Sequence, residues 1–88
     1  MKSKTIDESK YPMTYEEFEK RVSELFLEAA SSPKDLEFRK YLLNEYGDEI
    51  IRGEYEDACY YYDNPEYSCN QFTEERLLSQ PVRILEMI

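Results

Sequence analysis

Met13-Thr14-Tyr15-Glu16-Glu17-Phe18-Glu19-Lys20-Arg21-Val22-Ser23-Glu24-Leu25-Phe26-Leu27-Glu28-Ala29 is the stretch that decides the fold. Thr14 has the chemistry of a helix cap, and Glu17 three residues later completes a capping box. Met13 before the cap and Phe18 four positions into the helix have the spacing of a hydrophobic staple. Phe18, Val22, Leu25 and Ala29 then recur at helical intervals, flanked by Tyr15 and Phe26, while Glu17, Lys20, Arg21, Glu24 and Glu28 point elsewhere. Leu27 lies opposite this stripe and is expected at the surface.

Working outward, Ser31-Ser32-Pro33 closes the first helix and opens a second. Ser32 suits the cap, Pro33 the first helical position and Asp35 the positive end of the dipole. Leu36, Phe38, Leu42, Leu43 and Tyr46 cover a broad apolar arc, which predicts a helix packed between two neighbours. Gly47 reads as its C-terminal stop. A third helix is expected from Asp48 or Glu49 to Tyr62, with Ile51, Tyr55, Ala58 and Tyr62 inward, and Gly53 leaves open whether it is one helix or two. Asp63-Asn64-Pro65-Glu66 reads as a turn. Thr73 caps a last helical segment that Pro81 interrupts or kinks. Of the whole chain only Val82-Arg83-Ile84 has any strand character. The expectation is an all-α fold, a small bundle of three main helices plus a C-terminal helical segment. Residues 1–11 form a flexible polar tail, and 12–88 form a single helical domain.

The charge excludes several functions. Eighty-eight residues carry 20 Asp+Glu against 11 Lys+Arg and no histidine, a formal net charge of −9. Such a chain repels phosphate, so direct nucleic-acid binding is not expected. The basic pairs Lys20-Arg21 and Arg39-Lys40 sit beside carboxylates and read as solvated faces. Neither a signal sequence nor a membrane-spanning run is present, so a cytoplasmic location is expected, with Cys59 and Cys69 reduced. Two cysteines without histidine cannot build the usual zinc site, and Asp63-Asn64-Pro65-Glu66 lacks the pattern of a calcium loop. Cys59 lacks a histidine base to act as a nucleophile, and no carboxylate pair stands out as acid and base. Glycine loops for phosphates or dinucleotides are missing. No enzyme activity, catalytic residue, metal or cofactor is expected.

The charge is also unevenly placed. Residues 1–44 hold eight basic and nine acidic side chains, a balance of −1, whereas 45–88 hold three against eleven, a balance of −8. Six of the nine tyrosines lie between Tyr46 and Tyr67 among these acids. Glu49, Arg52, Glu56, Tyr60 and Asp63 share one helical face, and its acidic, tyrosine-bearing part (Glu49, Glu56, Tyr60 and Asp63) fits a basic protein partner. Tyrosine supplies rigid contact area, and carboxylates pair with Arg and Lys. One form of that role is inhibition of a nucleic-acid-binding or host-defence protein by charge mimicry. The alternative is a self-associating structural adaptor that dimerises through Leu27 or the row Val82, Leu85, Met87 and Ile88. The chain is accordingly expected as a monomer or homodimer. Tyr61 and Tyr62 are expected in the core and Tyr60 at the surface.

Tyr11-Pro12-Met13-Thr14-Tyr15-Glu16-Glu17-Phe18-Glu19, Cys59-Tyr60-Tyr61-Tyr62-Asp63-Asn64-Pro65-Glu66 and the Pro81-Val82…Leu85-Glu86-Met87 ending carry a resemblance. Together they resemble a group of short acidic proteins that accompany conjugative elements in gut Firmicutes. The resemblance spans most of the chain after residue 10. It implies an accessory role on a mobile element and assigns no functional residues.

Overall fold

A computed structural model describes residues 6–88. Helix α1 (Tyr15–Glu28) starts as its sequence requires: the Thr14 hydroxyl accepts the Glu17 N–H at 3.2 Å, and the Glu17 carboxylate accepts the Thr14 N–H at 3.0 Å. Phe18, Val22, Leu25 and Phe26 are buried along one stripe. Helix α2 (Pro33–Leu42) begins with the Ser32 hydroxyl accepting the Asp35 N–H at 3.1 Å.

Gly47 does not stop the second helix. A wider π turn at Leu43–Gly47 joins α2 to α3 (Asp48–Asp63), and Gly47 itself is right-handed helical at φ −59°, ψ −43°. The backbone is therefore helical from Pro33 to Asp63. A glycine ends a helix by adopting the left-handed region; here it is buried, and a Cβ on it would lie 3.2 Å from Leu43 Cδ2. The missing side chain makes room for Leu43 to pack on the turn. Gly53 does not divide α3 either.

Two ties fix the direction of α1 against this long run. Tyr15, at its start, reaches Asp48 and Arg52, whereas the carbonyl of Phe26, near its end, meets Arg39. Hence α1 runs back along α2 and α3 in the opposite sense. Helix α4 (Glu74–Leu78), capped by Thr73, is tied to α1 by the Arg21–Glu74 ion pair. Helix α5 (Gln80–Met87) has Pro81 in its first turn, where no backbone donor is needed, so the proline opens this helix. Val82-Arg83-Ile84 is helical within it. No strand occurs among the described residues, and the fold is all-α. The 20 Å short dimension is about two helix diameters. Phe18, Val22, Phe26, Ile51, Tyr55 and Ile84 fill the space between those layers.

Further placements also differ from the sequence expectation. α2 packs mainly on α1, so its broad apolar arc is only partly covered; Leu42 is buried while Phe38 and Tyr46 are exposed. Arg39, expected on a solvated face, is only 8% exposed. Its Nη1 donates to the Phe26 carbonyl at 2.9 Å, its Nε to Asp35 at 3.1 Å, and its guanidinium lies 4.8 Å from the centre of the Phe26 ring. Of the expected tail, residues 1–5 lie outside the described residues. Ile6 and Tyr11 pack on the core, and the Glu8 carboxylate accepts the Tyr15 N–H at 2.8 Å.

Candidate partner-binding site

Continuity of α3 places Glu49, Glu56, Tyr60 and Asp63 on one face, as the spacing of seven, four and three residues requires. All four are exposed, Tyr60 by 53%, and the row extends for roughly 21 Å. Glu49 and Glu56 form no ion pair among the described residues. Asp63 is partly engaged, because its Oδ2 accepts the Tyr11 hydroxyl at 2.7 Å. That hydrogen bond, with burial behind it, pushes the Tyr11 phenol well above the ordinary tyrosine range.

Arg52 is the one basic residue of α3, and its guanidinium rests 4.1 Å from the centre of the Tyr15 ring. The Tyr15 hydroxyl reaches Asp48 Oδ1 at 3.3 Å. Burial, followed by the charges of Glu19 and Asp48, pushes this phenol up to about 12. Not every acid of this region belongs to the surface. Glu54 is 5% exposed, and its Oε1 lies 3.1 Å from Arg83 Nη2, so it joins α3 to α5.

Beyond Tyr60 the helix ends in a tyrosine cluster. The ring centres of Tyr60, Tyr61 and Tyr67 are 5.5, 5.6 and 6.0 Å apart, and the Tyr60 and Tyr67 hydroxyls approach to 3.5 Å. That approach is the main cause raising the Tyr60 phenol above its ordinary value. The core positions expected for Tyr61 and Tyr62 are not found. Tyr61 is half-buried and Tyr62 is 40% exposed, because the start of α1 meets α3 at Asp48, Arg52 and Tyr55, and the last turn beyond is covered only in part, by Tyr11 and by the segment that follows α3. Tyr62 instead leans edge-on against Tyr11 and Phe72 at 5.5 and 5.9 Å. Between this turn and the returning chain lies a groove of about 510 Å³, lined by Tyr61, Tyr62, Pro65, Ser68, Cys69 and Asn70. Ser68 takes the left-handed conformation at φ 51° where the chain reverses.

Both cysteines are free. Cys59 is buried, and burial first, then the charges of Asp63 and Glu8, pushes its thiol up to about 11; it is protonated and inert at neutral pH. Cys69 is half-buried in the groove wall, with Gln71 Nε2 donating to its Sγ at 2.8 Å. Among the described residues no group of three or more potential metal ligands converges, and no helix is long and apolar enough to cross a membrane.

The row proposed for self-association is partly at the surface. Val82 (60% exposed), Leu85, Met87 and Ile88 are exposed, whereas Leu27 is half-buried. Sequence reading missed the exposure of Leu78, the last residue of α4, and of Phe38, Tyr41 and Tyr46 before and within the π turn. The groove had no sequence signal beyond Asn64-Pro65, which marks a chain reversal without giving its depth. No protein-family profile, curated protein or solved structure matches this chain.

Proposed function

We propose that this chain is a non-enzymatic, cytoplasmic binding protein that offers the Glu49/Glu56/Tyr60/Asp63 face of α3 to a basic protein partner. The observation that carries this reading is that Glu49 and Glu56 stand exposed on one helical stripe and neither is ion-paired among the described residues, Arg52 between them resting on the Tyr15 ring. Carboxylates on one helical face can pair with Arg or Lys, and such charges chiefly steer the encounter and set specificity. On a mobile element, inhibition of a nucleic-acid-binding or defence protein by charge mimicry is one use of such a face. The reading is tested by affinity capture from the native host with the intact chain and with the Glu49→Gln/Glu56→Gln/Asp63→Asn variant. A partner bound by the first, released by salt and lost by the second supports it. Equal capture by both overturns it.

The exposed row Val82, Leu85, Met87 and Ile88 at the end of the chain favours a second reading, a self-associating adaptor. Light scattering at rising concentration separates the two, since a strictly monomeric species removes the adaptor.

A further inference from the structure

We propose that the groove between the end of α3 and the 64–70 segment receives an arginine side chain of the basic partner. The identity of the occupant rests on the function proposed above; the groove's preference for a guanidinium rests on its own walls.

The first observation is aromatic. Tyr61 is propped by Tyr60 and Tyr67, and Tyr62 by Tyr11 and Phe72, so both wall rings are held before anything binds. A cation over a tyrosine face is attracted by the ring quadrupole. The volume of about 510 Å³ falls within the roughly 300–1,000 Å³ of ligand pockets.

The second is electrostatic and independent of the rings. α3 has no basic residue in its last turn, so no cation of its own offsets the negative end of its dipole. Asn64 covers the carbonyls of Tyr60 and Tyr61, with Nδ2 at 2.7 Å and the backbone N–H at 3.3 Å. No donor among the described residues reaches the carbonyls of Tyr62 or Asp63. Asp63 and Glu66, both exposed, adjoin the wall residues Tyr62 and Pro65 in sequence. An anion is repelled here and a neutral side chain leaves the charge unmet. A guanidinium is planar, weakly hydrated and rich in donors, so it can stack on a ring while bonding carbonyls at its edge. A lysine ammonium is more strongly hydrated and cannot stack in this way.

Cys69 in the wall provides the readout, since Cys59 is buried and its thiol is pushed up to about 11. Alkylation of Cys69 in the full chain is followed by mass spectrometry with arginine amide, lysine amide or norleucine amide at matched ionic strength. Hexa-arginine and hexalysine peptides are titrated in parallel. Arginine amide is expected to slow alkylation, lysine amide to act roughly two- to fivefold more weakly, and norleucine amide to have no effect. Tyr62→Leu, which keeps apolar bulk without a π face, is expected to weaken the arginine preference while hexalysine still binds. Absent or equal protection by the three amides overturns the groove assignment. If hexalysine then still binds in a salt-dependent way that Glu49→Gln/Glu56→Gln removes, the acidic face survives without it. Arginine-specific protection with no binding of either peptide has the opposite meaning: the groove stands and the acidic face fails.

Discussion

Replacing Arg39 by Met should unfasten the joint between α1 and α2. Arg39 Nη1 is the partner of the Phe26 carbonyl at the end of α1, because the Ala30 N–H turns instead to Leu27. The last turn of α1 contains no basic residue of its own, so a cation from α2 serves its negative end. Methionine keeps much of the stem but leaves that carbonyl without its donor. A hydrogen bond from a charged donor contributes about 1.5–3 kcal/mol, and the stacking on Phe26 adds about 0.5–1. The expected loss is thus about 2–4 kcal/mol. Against roughly 4–13 kcal/mol for a chain of this length, that is a large fraction. Urea unfolding followed by far-ultraviolet circular dichroism checks it. With a slope near ~1 kcal/mol/M, the midpoint should fall by about 2 M or more at unchanged slope. Arg39→Lys should recover part of the loss. The Asp35 carboxyl, held low first by the Ser31 N–H and then by Arg39, should rise in Arg39→Met yet stay below its ordinary value. A midpoint shift under about 0.5 M would refute the capping role, and full recovery with lysine would show that the stacking on Phe26 adds nothing.

Gly53→Ala should stabilise the protein by about 1 kcal/mol in the same unfolding assay, since the site is helical and a Cβ there meets nothing within 4 Å. Gly47→Ala should gain less than Gly53→Ala or lose stability, because its Cβ presses on Leu43 at 3.2 Å. Stability should also fall in alkali. The Cys59 thiol, pushed from 9.0 up to about 11, and the Tyr15 phenol, pushed from 10.0 up to about 12, both hold their protons longer in the folded chain, as do Tyr11 and Tyr55. Their contribution is complete below pH 9 and is lost as the pH climbs through 11 and 12, because the unfolded chain releases these protons first. Thermal melts should be flat to pH 9 and then decline, and Cys59→Ala should move the onset toward pH 10.

What could be read from sequence followed the range of the interactions involved. α1 was legible from Thr14, Glu17 and the Phe18/Val22/Leu25 stripe, because caps and stripes are local. Gly47 was not: a glycine ends a helix only where the chain turns left-handed, and Gly47 stays right-handed, with Leu43 packed close to where its Cβ would stand. Arg39 looked like a solvated charge because its partner, the Phe26 carbonyl, is thirteen residues away. The exposure of Glu49, Glu56, Tyr60 and Asp63 followed from helical spacing alone. The fate of Tyr61 and Tyr62 did not, since it depended on how much of the last turn of α3 its neighbours cover. The groove they line exists only because the chain reverses at Asn64-Pro65 and passes back beside the helix end.

The α3 face is tested most directly by titrating the captured partner into the intact chain and into Glu49→Gln/Glu56→Gln/Asp63→Asn at 50 and 300 mM salt. Affinity for the intact chain should drop steeply between the two salt concentrations, and the variant should bind weakly at both. Equal, salt-insensitive affinity for both proteins would show that the acidic stripe of α3 is only a solvated surface.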